Sequence, residues 1–255
     1  MKIFILCGGF GTRLDYEGQL KAKPMVRIGN KPILMHLIEN FCSQNFNEFI
    51  FCLGHKSETI IDYFIKEKKK FVEIKKKTKN NIIFNYSSNN LKFKGTLLYT
   101  GAYSGTGGRL SIAYNRLKLN EDIFMTYGDG LSNINLKKLI RFHYKNKAKI
   151  TLTAVKPKQR YGVLKINKNK VKLFDNSNKE INVYVNGGYF VISKSMINKI
   201  RDKNIYWENE PLNYAIKYKK LFAFKHKGFW KSLDTLKDKN DFNEMFKKKN
   251  IPWIN

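Results

Sequence analysis

The stretch Gly8-Gly9-Phe10-Gly11-Thr12-Arg13, followed by Lys23-Pro24-Met25, has the residue types of a polyphosphate cradle. Three glycines in four positions remove the side chains that would hold a ligand off the backbone, so several N–H groups can address one anion. Arg13 and Lys23 add full positive charge beside them. Read only as structure, the stretch is a tight turn with two solvated basic residues; the pairing of Arg13 with Lys23 favours the anion. Two carboxylates complete the candidates. Asp129 lies between Gly128 and Gly130 at the end of an apolar run, which leaves room beside it for a metal and a phosphate. It could instead cap the helix expected from about Asn135, although Ser132 and Asn133 stand nearer for that task. Asp234 sits where a helix N-cap would sit, and capping is its default role.

The glycine loop is neither of the commoner phosphate motifs. A P-loop needs Lys-Ser/Thr directly after its last glycine, whereas Thr12-Arg13 follows here, and a dinucleotide fingerprint needs G-x-G-x-x-G where this chain has G-G-x-G. None of the four histidines falls in a motif, and no serine or cysteine sits at a recognisable nucleophile elbow. Direct in-line transfer at phosphorus, served by charge and alignment, is the chemistry this set suits.

The elements that must position these residues read as an α/β alternation. An apolar strand at 4–7 opens into the glycine loop. Lys31-Pro32 begins a helix with Ile33, Leu34, Leu37, Ile38 and Phe41 at helical spacing and His36 beside that face; a strand at 48–54 and a helix capped by Ser57 follow. Residues 66–79 form a lysine-rich run expected as a solvated helix end and loop. Strands at 82–86 and 96–100 lead to a second glycine stretch, Gly101 to Gly108, and a helix at 109–117 whose N-terminus again offers N–H groups to a ligand. The apolar strand 123–127 delivers Asp129 to the C-terminal end of the sheet, where open α/β sheets bind ligands. A helix at 136–144 and a strand at 149–155 close the alternating part. Short strands at 163–166, 171–174 and 183–193 then predict a smaller antiparallel lobe, and a strand at 222–230 precedes a last helix ending near 248. The expectation is one domain over 1–255: a nucleotide-binding core at 1–155, a lobe at 156–233, and a C-terminal helix and tail at 234–255.

At 255 residues and 42% hydrophobic content, the chain can bury one substantial core. No uncharged apolar run approaches the length of a membrane span, and the N-terminus reads as a strand rather than a signal peptide, which predicts a cytoplasmic protein with no membrane partner. Cys7, Cys42 and Cys52 lack metal-type spacing and suit reduced, buried thiols. The net charge of +29 could address nucleic acid, but only seven of the 49 basic residues are arginine, the residue that base-edge readout leans on. Solvated lysine faces, with no nucleic-acid partner, are the better reading.

The string GGFGTRL with KPM about ten residues on resembles the signature of the sugar-phosphate nucleotidyltransferases, or sugar-nucleotide pyrophosphorylases. From Met1 to about Trp253 the chain is most similar to their glucose-1-phosphate cytidylyltransferase branch. The resemblance implies a Rossmann-like, mixed and mainly parallel sheet flanked by helices, with a smaller acceptor-binding lobe. It implies CTP and a sugar 1-phosphate as substrates, a CDP-sugar for surface polysaccharide as product, Mg2+ as cofactor, and self-association, since relatives commonly assemble. Carried over residue by residue, it assigns nucleotide contacts to Leu6, Gly8, Gly9, Gly11, Thr12, Arg13 and Lys23, with catalytic roles for Arg13 and Lys23. The stretch Thr106-Gly107-Gly108-Arg109-Leu110 resembles the part that surrounds the cytosine base, although Arg109 can also be read as bracing its own loop. Sugar contacts fall on Asn186-Gly187-Gly188 and on Glu208 and Glu210, where a β-bulge at the glycines and a helix N1 proline at Pro211 are equally good readings. Asp129 and Asp234 become the magnesium ligands.

One departure concerns the acceptor. The family's EKP string, whose lysine contacts the sugar phosphate, falls without gaps on Asn176-Ser177-Asn178. Lys179 is the nearest cation. The nucleotide half of the resemblance is therefore fuller than the acceptor half, and two rival readings stand beside it: a transferase using another phosphorylated acceptor, and a relative that binds nucleotide without turnover.

Overall fold

Strand β1 (Ile3–Cys7) is apolar throughout and every residue is buried, because it lies at the centre of a sheet covered on both faces. The computed structural model describes residues 1–9, 20–88, 90–158, 163–167, 169–175 and 183–254. The strands in chain order are β1, β2 (Arg27–Ile28), β3 (Lys31–Pro32), β4 (Glu48–Leu53), β5 (Val72–Thr78), β6 (Asn81–Ser88), β7 (Leu91–Tyr99), β8 (Ile123–Tyr127), β9 (Gly130–Ser132), β10 (Ile150–Val155), β11 (Val163–Asn167), β12 (Lys170–Asp175), β13 (Val185–Ile192), β14 (Leu221–Lys225) and β15 (Trp230–Ser232). The helices are α1 (Ile33–Ser43), α2 (Ser57–Asp62), α3 (Thr106–Arg116), α4 (Leu136–Lys145), α5 (Lys194–Ile197), α6 (Glu210–Lys217) and α7 (Leu236–Lys247).

Nine strands form one mixed sheet in the order β14-β10-β13-β8-β1-β4-β7-β6-β5. Its centre, β8-β1-β4-β7, is parallel. Side chains alternate across it with the strand period: Ile3, Ile5 and Cys7 enter one core with Phe41, Phe49 and Tyr189, and Phe4 and Leu6 enter the other with Leu110, Tyr114 and Trp207. Cys7 and Cys52 sit in neighbouring strands but face opposite cores, and the three cysteines are free thiols. The mixed α/β architecture agrees with the expectation. Among the described residues no helix is long and apolar enough to cross a membrane.

Several local expectations are corrected. The 66–79 run is not loop throughout: β5 pairs antiparallel with β6 as the sheet's outer edge, where its lysines are exposed and discourage further strand addition. Pro32 is the N-cap of α1 and not part of it, since Lys31–Pro32 pairs with Arg27–Ile28. α2 begins at Ser57, preceded by Lys56 with φ of 56° and no side-chain cap. The 183–193 strand is not in a separate lobe. As β13 it pairs antiparallel with both β8 and β10 inside the main sheet, which leaves the β11–β12 hairpin as the detached antiparallel piece. The 222–230 strand is two: β14 at the sheet's other edge, and β15, which pairs with β9.

Two histidines are structural. His36 bonds Ile28 O through Nε2 at 2.9 Å and accepts from Trp253 Nε1 at Nδ1, and His143 lies between Thr151 and Ser193. Burial, reinforced by Lys31 for His36 and by Lys149 for His143, lowers both from 6.5 to about 4. The unfolded chain therefore takes up these protons first. Stability complete above pH 6.5 is lost as the pH falls towards 4, at roughly 1.4 kcal/mol per pH unit for each histidine. In an NMR titration both imidazoles should stay neutral to below pH 5; a midpoint near 6.5 for either would contradict this packing.

Candidate active site

The β9–β15 ribbon brings the two carboxylates together. It pairs Ser232 with Gly130, and Leu233 N donates to Asp129 O at 2.8 Å, so Asp129 and Asp234 flank the same end of the ribbon. Between them stands Lys23, from the one-turn helix Lys23–Met25. Its Nζ lies 2.6 Å from Asp129 Oδ2 and 2.8 Å from Asp234 Oδ1. Burial pulls the Lys23 pKa down, and the two carboxylates outweigh that, leaving it above its ordinary value. A cation already draws both carboxylates to one point.

Asp234 is free of the capping role that its position suggested. Thr235 is the N-cap of α7: its hydroxyl accepts from Asp238 N while Asp238 returns to the Thr235 backbone, a capping box. The Asp234 carboxylate accepts from Ser232 Oγ at 2.6 Å, and its own N–H donates to Asp238 Oδ2. Asp129 does not cap α4 either. Asn135 does, accepting from Lys138 N, and neither Ser132 nor Asn133 is the cap.

Arg109 braces the chain where β1 ends, at Gly8. It is 4% exposed, and its guanidinium donates to Gly8 O (3.1 Å), Ala102 O (2.9 Å), Gly101 O (2.6 Å), Leu53 O (3.2 Å) and Thr100 Oγ1 (3.2 Å). A Cβ at Gly8 would lie 2.3 Å from its Cζ, and one at Gly54 only 2.1 Å from Nη1, so both glycines make space for this side chain. At Gly9, by contrast, no atom of the described residues lies within 4 Å of a Cβ position. Leu6 contributes backbone: its side chain is buried and its carbonyl accepts from Gly128 N at 3.1 Å.

The second glycine stretch also differs from expectation. The helix starts at Thr106, and two of the N–H groups expected to face a ligand are used within the chain. Gly105 N donates to Lys203 O (2.9 Å) and Gly108 N to Ile205 O (3.0 Å). A Cβ at Gly108 would stand 1.9 Å from Lys203 O, so this glycine is required for strand-like close approach. Gly107 is less constrained, with a Cβ position 3.1 Å from Ile205 O.

The Asn186-Gly187-Gly188 stretch, inside β13, takes the bulge reading. The β10–β13 register shifts between Leu152 and Ala154, opposite these residues, and Gly188 has φ of 80°. Asn186 Oδ1 accepts from Gly188 N, and Trp230 Nε1 donates to Gly187 O at 2.7 Å. Glu208 is drawn to the same region, accepting from Thr106 Oγ1 (2.7 Å) and from Tyr127 OH. Glu210 is directed elsewhere: it opens α6 with Pro211 and lines a small cavity of about 140 Å³ beside Lys199 and Tyr214. Gly11, Thr12, Arg13 and Lys179 lie outside the described residues. Sequence reasoning missed Tyr127, Gly54 and Trp230. Tyr127 ends the strand that carries Asp129 and was findable from that alone; Gly54 and Trp230 act through contacts that no local pattern encodes.

Among the described residues no activated nucleophile competes with in-line transfer. Burial pushes the Cys52 and Cys42 thiols up to about 12 and the Cys7 thiol upward too, so none of them is a thiolate. Ser132 and His226 meet at 3.2 Å, but the serine is buried and donates to Phe229 O. Among the described residues no group of three or more His, Cys, Asp and Glu forms a metal cluster, so Asp129 and Asp234 stand as a two-carboxylate pair.

A model of the nucleotidyl transferase family matches residues 2–244. The glucose-1-phosphate cytidylyltransferase of Salmonella typhimurium (strain LT2) is 37% identical over 99% of this chain and 98% of its own. The mannose-1-phosphate guanyltransferase of Saccharomyces cerevisiae is 27% identical over 93% of this chain and 62% of its own. Among solved structures, HddC from Yersinia pseudotuberculosis complexed with GMP-PN superposes with a TM-score of 0.70 at 24% identity, covering 96% of this chain and 99% of that one. At that identity the likeness concerns the fold.

The charge cluster yields a prediction that separates chemistry from structure. Asp234→Asn should keep stability within about 1 kcal/mol, because its ion pair is partly exposed and Thr235 caps the helix. Turnover should fall on the order of a hundred-fold, the effect of removing a transition-state charge partner. Steady-state kinetics beside thermal melts checks both; full activity in Asp234→Asn would assign the residue a structural role.

Proposed function

Because the chain belongs to the nucleotidyl transferase family, we propose that it is the enzyme that joins CTP to a sugar 1-phosphate, glucose 1-phosphate first among them, releasing pyrophosphate and a CDP-sugar. The observation that carries the reaction class is the convergence of Asp129 and Asp234 on the Lys23 ammonium. The choice of nucleotide and sugar is supported by the near full-length similarity to the Salmonella enzyme.

A phosphate oxygen of the acceptor attacks the α-phosphorus of CTP, the new P–O bond forms, and the bond to the bridging oxygen breaks in line, so that pyrophosphate leaves with its electrons. A sugar phosphate is already ionised at neutral pH, since its second pKa is near 6, and no general base is needed. What the chain must do is neutralise charge and align the reactants. Lys23 offers an ammonium to the phosphate oxygens, and Arg13 does so from the loop. Gly8 and Gly9 let those oxygens approach the backbone.

Magnesium fits the donor set. Asp129 and Asp234 are hard oxygen donors already converged on one cation, and a pair of carboxylates with substrate phosphates completing the shell is the usual way magnesium is held. These two residues would hold it, and it would supply charge neutralisation at the transferred phosphate. The formal charge of Lys23 with the two aspartates is −1, which favours a further cation.

A second reading of the acceptor has its own support. Asn176-Ser177-Asn178 replaces the family's phosphate-binding EKP string, so the acceptor phosphate falls to Lys179, or the acceptor is a different phosphorylated molecule. A pyrophosphate-release assay with CTP, UTP, GTP and ATP against a panel of sugar 1-phosphates decides both points. We expect CTP with glucose 1-phosphate to give the highest kcat/KM. Equal use of a purine triphosphate would remove the cytidine assignment, and preference for another acceptor would remove glucose 1-phosphate.

A further inference from the structure

The chain from Lys203 to Trp207 lies across the start of α3 and is fastened to it. Gly105 N and Gly108 N donate to Lys203 O and Ile205 O, and Trp207 N donates to Thr106 Oγ1 at 2.8 Å. Glu208 comes next, and its two oxygens part. Oε2 accepts from the Thr106 hydroxyl at 2.7 Å and Oε1 from the Tyr127 hydroxyl. Tyr127 ends β8 two residues before Asp129, and its ring packs on the bulge, where a Cβ at Gly188 would lie 2.8 Å from Cδ2. One carboxylate thus joins the first residue of α3 to the strand that carries Asp129 and to the Asn186–Gly188 wall.

We infer that Glu208 is a positioning residue that couples the nucleotide half of the site to the acceptor half, so that filling one half strengthens binding in the other. The inference rests on the reading above, in which Thr106–Gly108 borders the nucleotide and Asn186–Gly188 borders the acceptor. Each hydroxyl owns a single proton, so Thr106 and Tyr127 can each donate to one acceptor at a time. Glu208 is exposed, and water competes for both bonds. A substrate that orders either hydroxyl towards Glu208 fixes the carboxylate and presents it in register to the other. Thermodynamic linkage makes the effect equal in both directions.

The test is two-substrate initial-velocity kinetics on the wild type, Tyr127→Phe, Thr106→Val and Glu208→Gln, with the triphosphate and sugar phosphate that the wild type uses. The quantity read is the ratio of triphosphate affinities at vanishing and at saturating acceptor. We expect a wild-type ratio of roughly five-fold or more, within the usual span of coupling between sites. It should fall towards one in all three variants and return in Thr106→Ser, which restores the hydroxyl. Thermal melts identify any variant that fails to fold, and Tyr127→Phe, which loses a single oxygen, decides the matter if Glu208→Gln does. An unchanged ratio in Tyr127→Phe, or a wild-type ratio of one, overturns the coupling while leaving the transfer reaction standing. A raised acceptor KM in Glu208→Gln with the ratio intact also overturns it, making Glu208 a direct sugar ligand. A wild type that turns over no sugar 1-phosphate with any triphosphate removes the functional reading and the coupling together.

Discussion

The Lys23 ammonium, seated between Asp129 and Asp234, is the interaction on which the site depends. The three residues come from distant stretches of the chain, and two like charges would not share a partly buried corner without the cation. The β9–β15 ribbon brings the two aspartates to the same end, and Pro24 and Met25, both buried, fix the turn that aims Lys23 between them. The arrangement is preformed. In a reaction whose catalysis is mostly charge neutralisation and alignment, a preformed charge set avoids reorganisation at the moment of transfer.

Around that cluster the chain uses its backbone polar groups to hold loops rather than leaving them for ligands. Arg109 gathers carbonyls from 8, 53, 101 and 102, tying the residue after β1 to the ends of β4 and β7. The segment at 203–207 does the same for the start of α3. Both devices demand glycine at the contact, at Gly8 and Gly54 for the arginine and at Gly105 and Gly108 for the carbonyls. Glycine-rich loops in this chain therefore serve internal close packing as well as ligand approach.

Much of the frame was legible because its signals are local. The apolar runs of β1 and β8, the helical spacing in α1 and α4, and the glycines and carboxylates at strand ends all belong to short windows of sequence. What was not legible depends on partners far along the chain. Residues 72–78 form an edge strand only because β6 is there to pair with, and the strand with Asn186-Gly187-Gly188 joins the main sheet through pairing with β8 and β10. Likewise, a capping position can be assigned to Asp234 from the sequence, but Thr235 takes it once Asp238 is seen to reach back. The bracing role of Arg109 was open in the sequence; five acceptors around one buried guanidinium are visible only in three dimensions.

We propose that Asp129 and Asp234, held ready by Lys23, share a metal with the substrate phosphates. Water-proton relaxation with Mn2+ in place of magnesium tests it directly, because the enhancement distinguishes Mn2+–CTP on the protein from the same complex in solution. The wild type should give a strong enhancement, and apparent affinity should weaken at least about ten-fold for Asp129→Asn and Asp234→Asn, the equivalent of 1.4 kcal/mol. Unchanged Mn2+–CTP affinity in both variants would contradict it and leave the three residues as a structural ion-pair cluster.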